Sequence, residues 1–241
     1  YASILLVVVY FIVYPSIPLV NTHTKGVAGW TAIGEYREDM KAIQEKRAVY
    51  EDKLKGMSAA AILADDELSE YVVRSGKVLF GDNCAACHGT GGAGNQGYPV
   101  LADNDWLFGG SIEVIEQSIR NGRQAIMSPN PMSDAELNEL SSAIMSGNPT
   151  SSPLYTAKGC IACHGPDAKG VQAMGSANLT DNIWRFAAAD QEASVKHTIT
   201  FGVNAGPESR NAVMPKFDGG KLSDSEIKKL AVYVHKLGGG Q

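Results

Sequence analysis

A chain of 241 residues is long enough for more than one domain. With 20% charged and 44% hydrophobic residues it reads as globular rather than disordered, and a formal net charge of −5 argues against a nucleic-acid partner. The four cysteines all fall in two C-x-x-C-H units, Cys84-Cys87-His88 and Cys160-Cys163-His164, so none is left over for a disulfide.

Residues 1–20 contain no charged side chain. An apolar run of roughly 20 residues is what a membrane-spanning helix needs, and Pro15 and Pro18 mark its exit. A signal-peptide core would need a basic leader and a small-residue cleavage site, and neither is visible. The chain starts on Tyr1 rather than Met, so the expectation is an anchor with part of its helix upstream in a longer precursor. Residues 21–34 are rich in Gly and Thr. From 35 to 55 acids and bases alternate and apolar residues are sparse (Met40, Ile43, Val49, Leu54), the pattern of a solvated spacer helix with local ion pairs.

From about Ser69 the sequence repeats itself. Each half reads helix, C-x-x-C-H, Gly-rich loop, a Leu and a Trp five apart, a helix ending in Gly, a Met and a final helix. Leu101 and Trp106 correspond to Leu179 and Trp184. Ile112, Ile115 and Ile119 precede Gly122 at helical spacing, as Val195 and Ile199 precede Gly202, and Gly suits the positive-φ position past a helix end. Ser133 with Glu136, and Ser223 with Glu226, predict capping boxes. Leu137, Leu140 and Ile144 follow the first, and Ile227, Leu230 and Val234 the second, as amphipathic helices. The polar, proline-bracketed stretch 148–153 separates the halves.

C-x-x-C-H is the attachment signature of c-type haem. Thiols at i and i+3 lie on one side of a helical turn and can bond two vinyl groups, while the adjacent His presents its ring to the iron. Zinc is the rival reading, but it takes four ligands and each half offers three. A six-coordinate haem needs a second axial ligand, and Met raises the potential and suits electron transfer. In the first half Met127 is favoured over Met132, with Met145 read as core. In the second half Met214 is favoured. Met174 is expected to pack, and His197, His235 and His23 are read as surface positions. Trp106, Trp184, Tyr98 and Arg123 are candidate partners for haem propionates. No catalytic constellation appears, which points to a relay: with both irons six-coordinate, no substrate reaches them.

Residues 84–123, CAACHGTGGAGNQGYPVLADNDWLFGGSIEVIEQSIRNGR, and 160–184, CIACHGPDAKGVQAMGSANLTDNIW, resemble the two haem domains of the dihaem subunit (CcoP, subunit III) of cbb3-type cytochrome c oxidases. The ending LSDSEIKKLAVYVHKLGG is similar as well, and the likeness runs from the anchor's exit to the C-terminus. It implies two covalently attached c-type haems, with Cys84, Cys87, Cys160 and Cys163 as attachment points and His88, Met127, His164 and Met214 as axial ligands. It implies haem domains in the periplasm, anchored in the bacterial inner membrane. A cytochrome c would donate electrons, to be passed to a monohaem cytochrome subunit and then to a haem–copper subunit that reduces oxygen and pumps protons. Two departures stand out: Met127 is followed by Ser128 rather than Pro, and residues 204–210 form an insertion before Met214.

The expected architecture is therefore all-α. It comprises an N-terminal transmembrane anchor (1–20), a periplasmic spacer with a charged helix (21–68), and two tandem cytochrome c-like domains (69–147 and 148–241). A membrane cytochrome of a quinol–cytochrome c reductase, and a metal-stabilised module without haem, are the alternatives.

Overall fold

The computed structural model describes residues 1–238. It divides into two compact units, 1–55 and 56 onward.

In the first unit, α1 (Ala2–Val13) is a 12-residue apolar helix with no buried residue. Ile4, Leu5 and Leu6 stand 65–70% exposed on it. Beyond Tyr14 the chain turns back, and the amides of Val27 and Ala28 donate to the carbonyls of Ile12 and Val13. Among the described residues no helix is long and apolar enough to cross a membrane. At 1.5 Å per residue α1 extends about 18 Å, against about 30 Å of bilayer hydrocarbon. The charged spacer is a single helix, α2 (Ala32–Leu54), capped by Thr31, whose side chain accepts from the Gly34 amide.

Among the described residues, the regular structure of the second unit is helical apart from one short ribbon, with long loops after each C-x-x-C-H turn. Its elements are α3 (Ala59–Ala64), α4 (Asp66–Asn83), α5 (Ala85–His88), α6 (Ile112–Asn121), β1 (Arg123–Gln124), α7 (Asp134–Met145), α8 (Pro153–Ala157), α9 (Ile161–His164), α10 (Gln191–Phe201), β2 (Val213–Met214) and α11 (Asp224–His235). Both capping boxes are present: Ser133 and Ser223 each accept from the backbone three residues on, and Glu136 and Glu226 reach back.

The unit packs as two lobes that do not follow the sequence halves. The last helix, α11, lies against α4, α6 and α3 of the first half. Its Ile227, Leu230, Ala231 and Val232 are completely buried, and Tyr233 meets Phe80 of α4 with ring centroids 5.3 Å apart. Fully burying one large apolar side chain contributes about 1.5–3 kcal/mol, so this helix is the main cover of the first lobe. Conversely α7, which closes the first half, packs on α10 and α8 of the second. There Leu140 and Ile144 share a core with Tyr155, Ala168, Val195 and Ile199. The two final helices are exchanged between the halves.

The exchange begins before the helices, at the loops that carry the methionines. β1 and β2 pair antiparallel with Arg123 opposite Met214, and Met127 bridges Val203. The amide of Phe217 donates to Ile119 O, and that of Asn130 to Ile199 O. Two glycines make the close approach possible. Gly122 (φ +70°, ψ −179°) and Gly202 (φ +77°, ψ −166°) end α6 and α10. A Cβ on Gly122 would fall 2.4 Å from Met214 O, and one on Gly202 2.2 Å from Met127 O.

Candidate functional site

Each C-x-x-C-H unit closes a short helical turn. The amides of Cys87 and His88 both donate to Cys84 O, and those of Cys163 and His164 to Cys160 O. The turn stops at Gly89 and Gly165, both with positive φ, and the chain leaves to form the loop facing the histidine. In that loop Pro99 O lies 3.1 Å from His88 Nδ1, and Ala177 O lies 2.9 Å from His164 Nδ1. A carbonyl accepts only from a protonated nitrogen, so Nδ1 carries the hydrogen and Nε2 keeps its lone pair. Such an outer hydrogen bond fixes the tautomer and ring orientation of a metal-ligating histidine. Burial holds both imidazoles below the usual histidine range, which keeps that lone pair unprotonated.

The cysteines are free thiols. Burial first, and Cys87 second, push the Cys84 thiol up to about 11, and burial also raises Cys160. Among the described residues no three His, Cys, Asp or Glu side chains gather as ligands for a metal ion. Two thiols and a tautomer-fixed imidazole on one turn are instead the donor set that fits a c-type haem: the thiols for the vinyl groups, Nε2 for the iron. When bound, that group supplies a one-electron couple.

The first set, Cys84, Cys87 and His88, follows α4 and belongs to the lobe covered by α11. The second set belongs to the lobe covered by α7, where Cys160, Ile161, Leu179 and Trp184 pack against the core. Because the methionine loops travel with the final helices, Met214 comes to the first lobe and Met127 to the second. The two are equivalent by three independent contacts: the bridge to residue 123 or 203, the approach to Gly122 or Gly202, and the hydrogen bond three residues on. Met132 has no such counterpart and packs beside the second-lobe core, as does Met145.

Three side chains differ from the expected burial, and Trp106 and Arg123 have partners of their own within the chain. Met174 is 50% exposed rather than packed. His197 and His235 are half-buried rather than surface residues: each has a buried Nδ1 without a hydrogen-bond partner, and the His197 ring lies 4.8 Å from that of Phe201. Trp106 Nε1 is committed to Asp103 O at 2.9 Å. Arg123 donates from Nε to Ser118 Oγ and lies over the Phe108 ring at 4.6 Å. The insertion before Met214 returns an arginine to the matching place: Arg210 lies over Phe186, the counterpart of Phe108, at 5.4 Å.

Sequence reasoning missed Arg185. Its Nε donates to Gly97 O at 3.1 Å, and Gly97 N donates back to Arg185 O at 3.0 Å. This reciprocal pair ties the second half to the loop that carries Pro99. The signal was available in the sequence: in stretches that otherwise match, Leu107 stands where the second half has Arg185.

Residues 72–142 match the family model described as cytochrome c oxidase, cbb3-type, subunit III, and residues 152–238 that of cytochrome c. The chain is similar over its whole length to curated proteins. It is 37% identical to a cbb3-type cytochrome c oxidase subunit FixP of Azorhizobium caulinodans, covering 100% of this chain and 85% of the relative. It is 37% identical to the FixP subunit of a Bradyrhizobium strain (100% and 87%), and 34% identical to the CcoP subunit of Cereibacter sphaeroides (100% and 87%).

Proposed function

The chain belongs to the FixP/CcoP family of cbb3-type cytochrome c oxidase subunits, and on that premise we propose that it is the oxidase's dihaem electron-transfer subunit. It accepts electrons from a cytochrome c donor and passes them toward the haem–copper subunit that reduces oxygen, by way of the monohaem subunit. The observation that carries this reading is the matched pair of C-x-x-C-H turns, each with its histidine tautomer set by a carbonyl and each facing a lobe completed by a methionine-bearing loop.

The haems are attached through Cys84 and Cys87, and through Cys160 and Cys163. Their axial pairs are crossed between the halves: His88 with Met214, and His164 with Met127. This pairing replaces the uncrossed one that sequence order implies, and its support is the exchange of loops and final helices. The residues around each iron hold the ring, set the potential and keep water away.

The apolar helix α1 belongs to a membrane anchor, with the haem domains in the periplasm. Its support is the uncharged run of residues 1–20 and the absence of any buried side chain on α1. The charged α2 follows the anchor in the sequence and serves as a spacer before the haem domains.

The test is a haem count followed by ligand variants. The purified chain should carry two thioether-bound haems. Met214→Ala should lower one potential and open one iron to external ligands. Adding a His88 substitution to that variant should leave the remaining haem His–Met coordinated with its potential unchanged. Two altered haems in the double variant would refute the crossed pairing, and fewer than two bound haems would refute the reading itself.

A further inference from the structure

The two lobes are pseudo-equivalent around their haem loops, so a group that breaks the equivalence acts on one haem more than on the other. Asp103 matches Asp181, Trp106 matches Trp184 and Phe108 matches Phe186. Arg123 and Arg210 each lie over one of those phenylalanines. Their charges enter both lobes alike. Arg185 does not, because its counterpart is Leu107.

Arg185 is half-buried and held by the two hydrogen bonds to Gly97, two residues before the carbonyl that orients His88. Among the described residues no carboxylate forms an ion pair with it. Besides Gly97, its guanidinium meets the Phe186 ring at 5.8 Å. A further difference in the same stretch, Asp105 against Ile183, has Asp181 and Asp103 as its charged neighbours. Arg185 is thus a cation with no carboxylate partner among the described residues, fixed beside the loop whose Pro99 carbonyl orients His88. A fixed cation in a partly desolvated site destabilises the more positive, oxidised iron.

We infer that Arg185 holds the potential of the haem on Cys84, Cys87 and His88 above that of its counterpart, and so biases the shared electron toward the first haem. The inference rests on the dihaem reading above. It makes Arg185 a tuning residue, supplied by one half of the chain to the haem of the other.

The experiment is a potentiometric titration of the intact two-haem chain and of Arg185→Gln and Arg185→Lys. The haem that responds to Met214→Ala is taken as the first. Gln retains a donor for Gly97 O and removes the charge, while Lys retains the charge. Arg185→Gln should move the first haem's midpoint to more negative values and narrow the gap, shifting the electron several-fold toward the second haem. Arg185→Lys should keep most of the gap. An unchanged gap in Arg185→Gln, an equal narrowing in both variants, or a shift confined to the other haem would overturn the inference. Two thioether haems with His–Met spectra in Arg185→Gln would show in each case that the dihaem reading stands apart from it.

Discussion

Replacing Gly202 by Ala tests the exchanged packing at its tightest point. Gly202 sits at φ +77° and ψ −166°, a region open essentially to glycine alone, where another residue costs about 1–3 kcal/mol. The added Cβ would lie 2.2 Å from Met127 O and 3.0 Å from Pro129 N. Both are backbone atoms, and Met127 is pinned by its two hydrogen bonds with Val203. The loop must therefore retreat by about 1 Å, and forced overpacking of this kind costs about 1–3 kcal/mol more. The two effects share a sign, so the loss should be about 2–6 kcal/mol. Gly159→Ala is the control: its φ is +78°, but nothing lies within 4 Å of the new Cβ, leaving only the conformational cost of about 1–2 kcal/mol. Urea denaturation of the haem-loaded chains gives the stabilities, and the methionine–iron absorption band reports on the ligation proposed for Met127. Gly202→Ala should be the less stable of the two and should weaken that band for one haem. Equal stabilities with the band intact would refute the argument that the Met127 loop is seated on α10.

Two further outcomes follow from single side chains. Burial, then Asp181 and Asp103, push the Asp105 carboxyl up to about 6. Raised from an unfolded value near 3.8, it binds more protons folded than unfolded, so it lowers stability as pH climbs from about 4 through 6. Asp105→Asn should accordingly stabilise the chain at pH 7–8 by about 1–2 kcal/mol, after allowance for partial exposure, and should flatten urea midpoints between pH 4 and 7; an unaltered pH profile would refute this. Tyr155, whose buried hydroxyl donates to Gly165 O at 2.5 Å, ties α8 to the end of the second C-x-x-C-H turn. Tyr155→Phe should cost about 1–3 kcal/mol by leaving that carbonyl unpaired, with the thermal midpoint of the holo-protein falling while the first haem's potential stays put; an unchanged midpoint would contradict the bond's contribution.

The local features of this fold could be read from the sequence because their determinants are local. The C-x-x-C-H turns, the terminating Gly122 and Gly202 and the two capping boxes each need only a few neighbouring residues, and each stands where the pattern placed it. The exchange of final helices could not be read. Leu140 and Ile144 present the same kind of apolar stripe as Leu230 and Val234, so periodicity says that each helix covers a lobe but not which one. The half-buried state of His197 and His235 escaped for the same reason, since helical phase is judged against an assumed partner. Arg185 was missed because a lone arginine in a loop carries no motif; only its comparison with Leu107 reveals it.

The exchange of α7 and α11 also bears on how the molecule comes into being. α4 finds its main cover only in α11, so the first lobe stays open until the chain from Asn83 to Asp224 has been made. Closing a loop of that length costs entropy before any contact repays it, and such non-local pairing slows folding. The first cysteine pair is thus presented on an unfinished scaffold, whereas the second follows α7, the helix that covers its lobe. Once closed, the lobes are interlocked, and a cut in the stretch 148–153 would divide the polypeptide without releasing either lobe from the other.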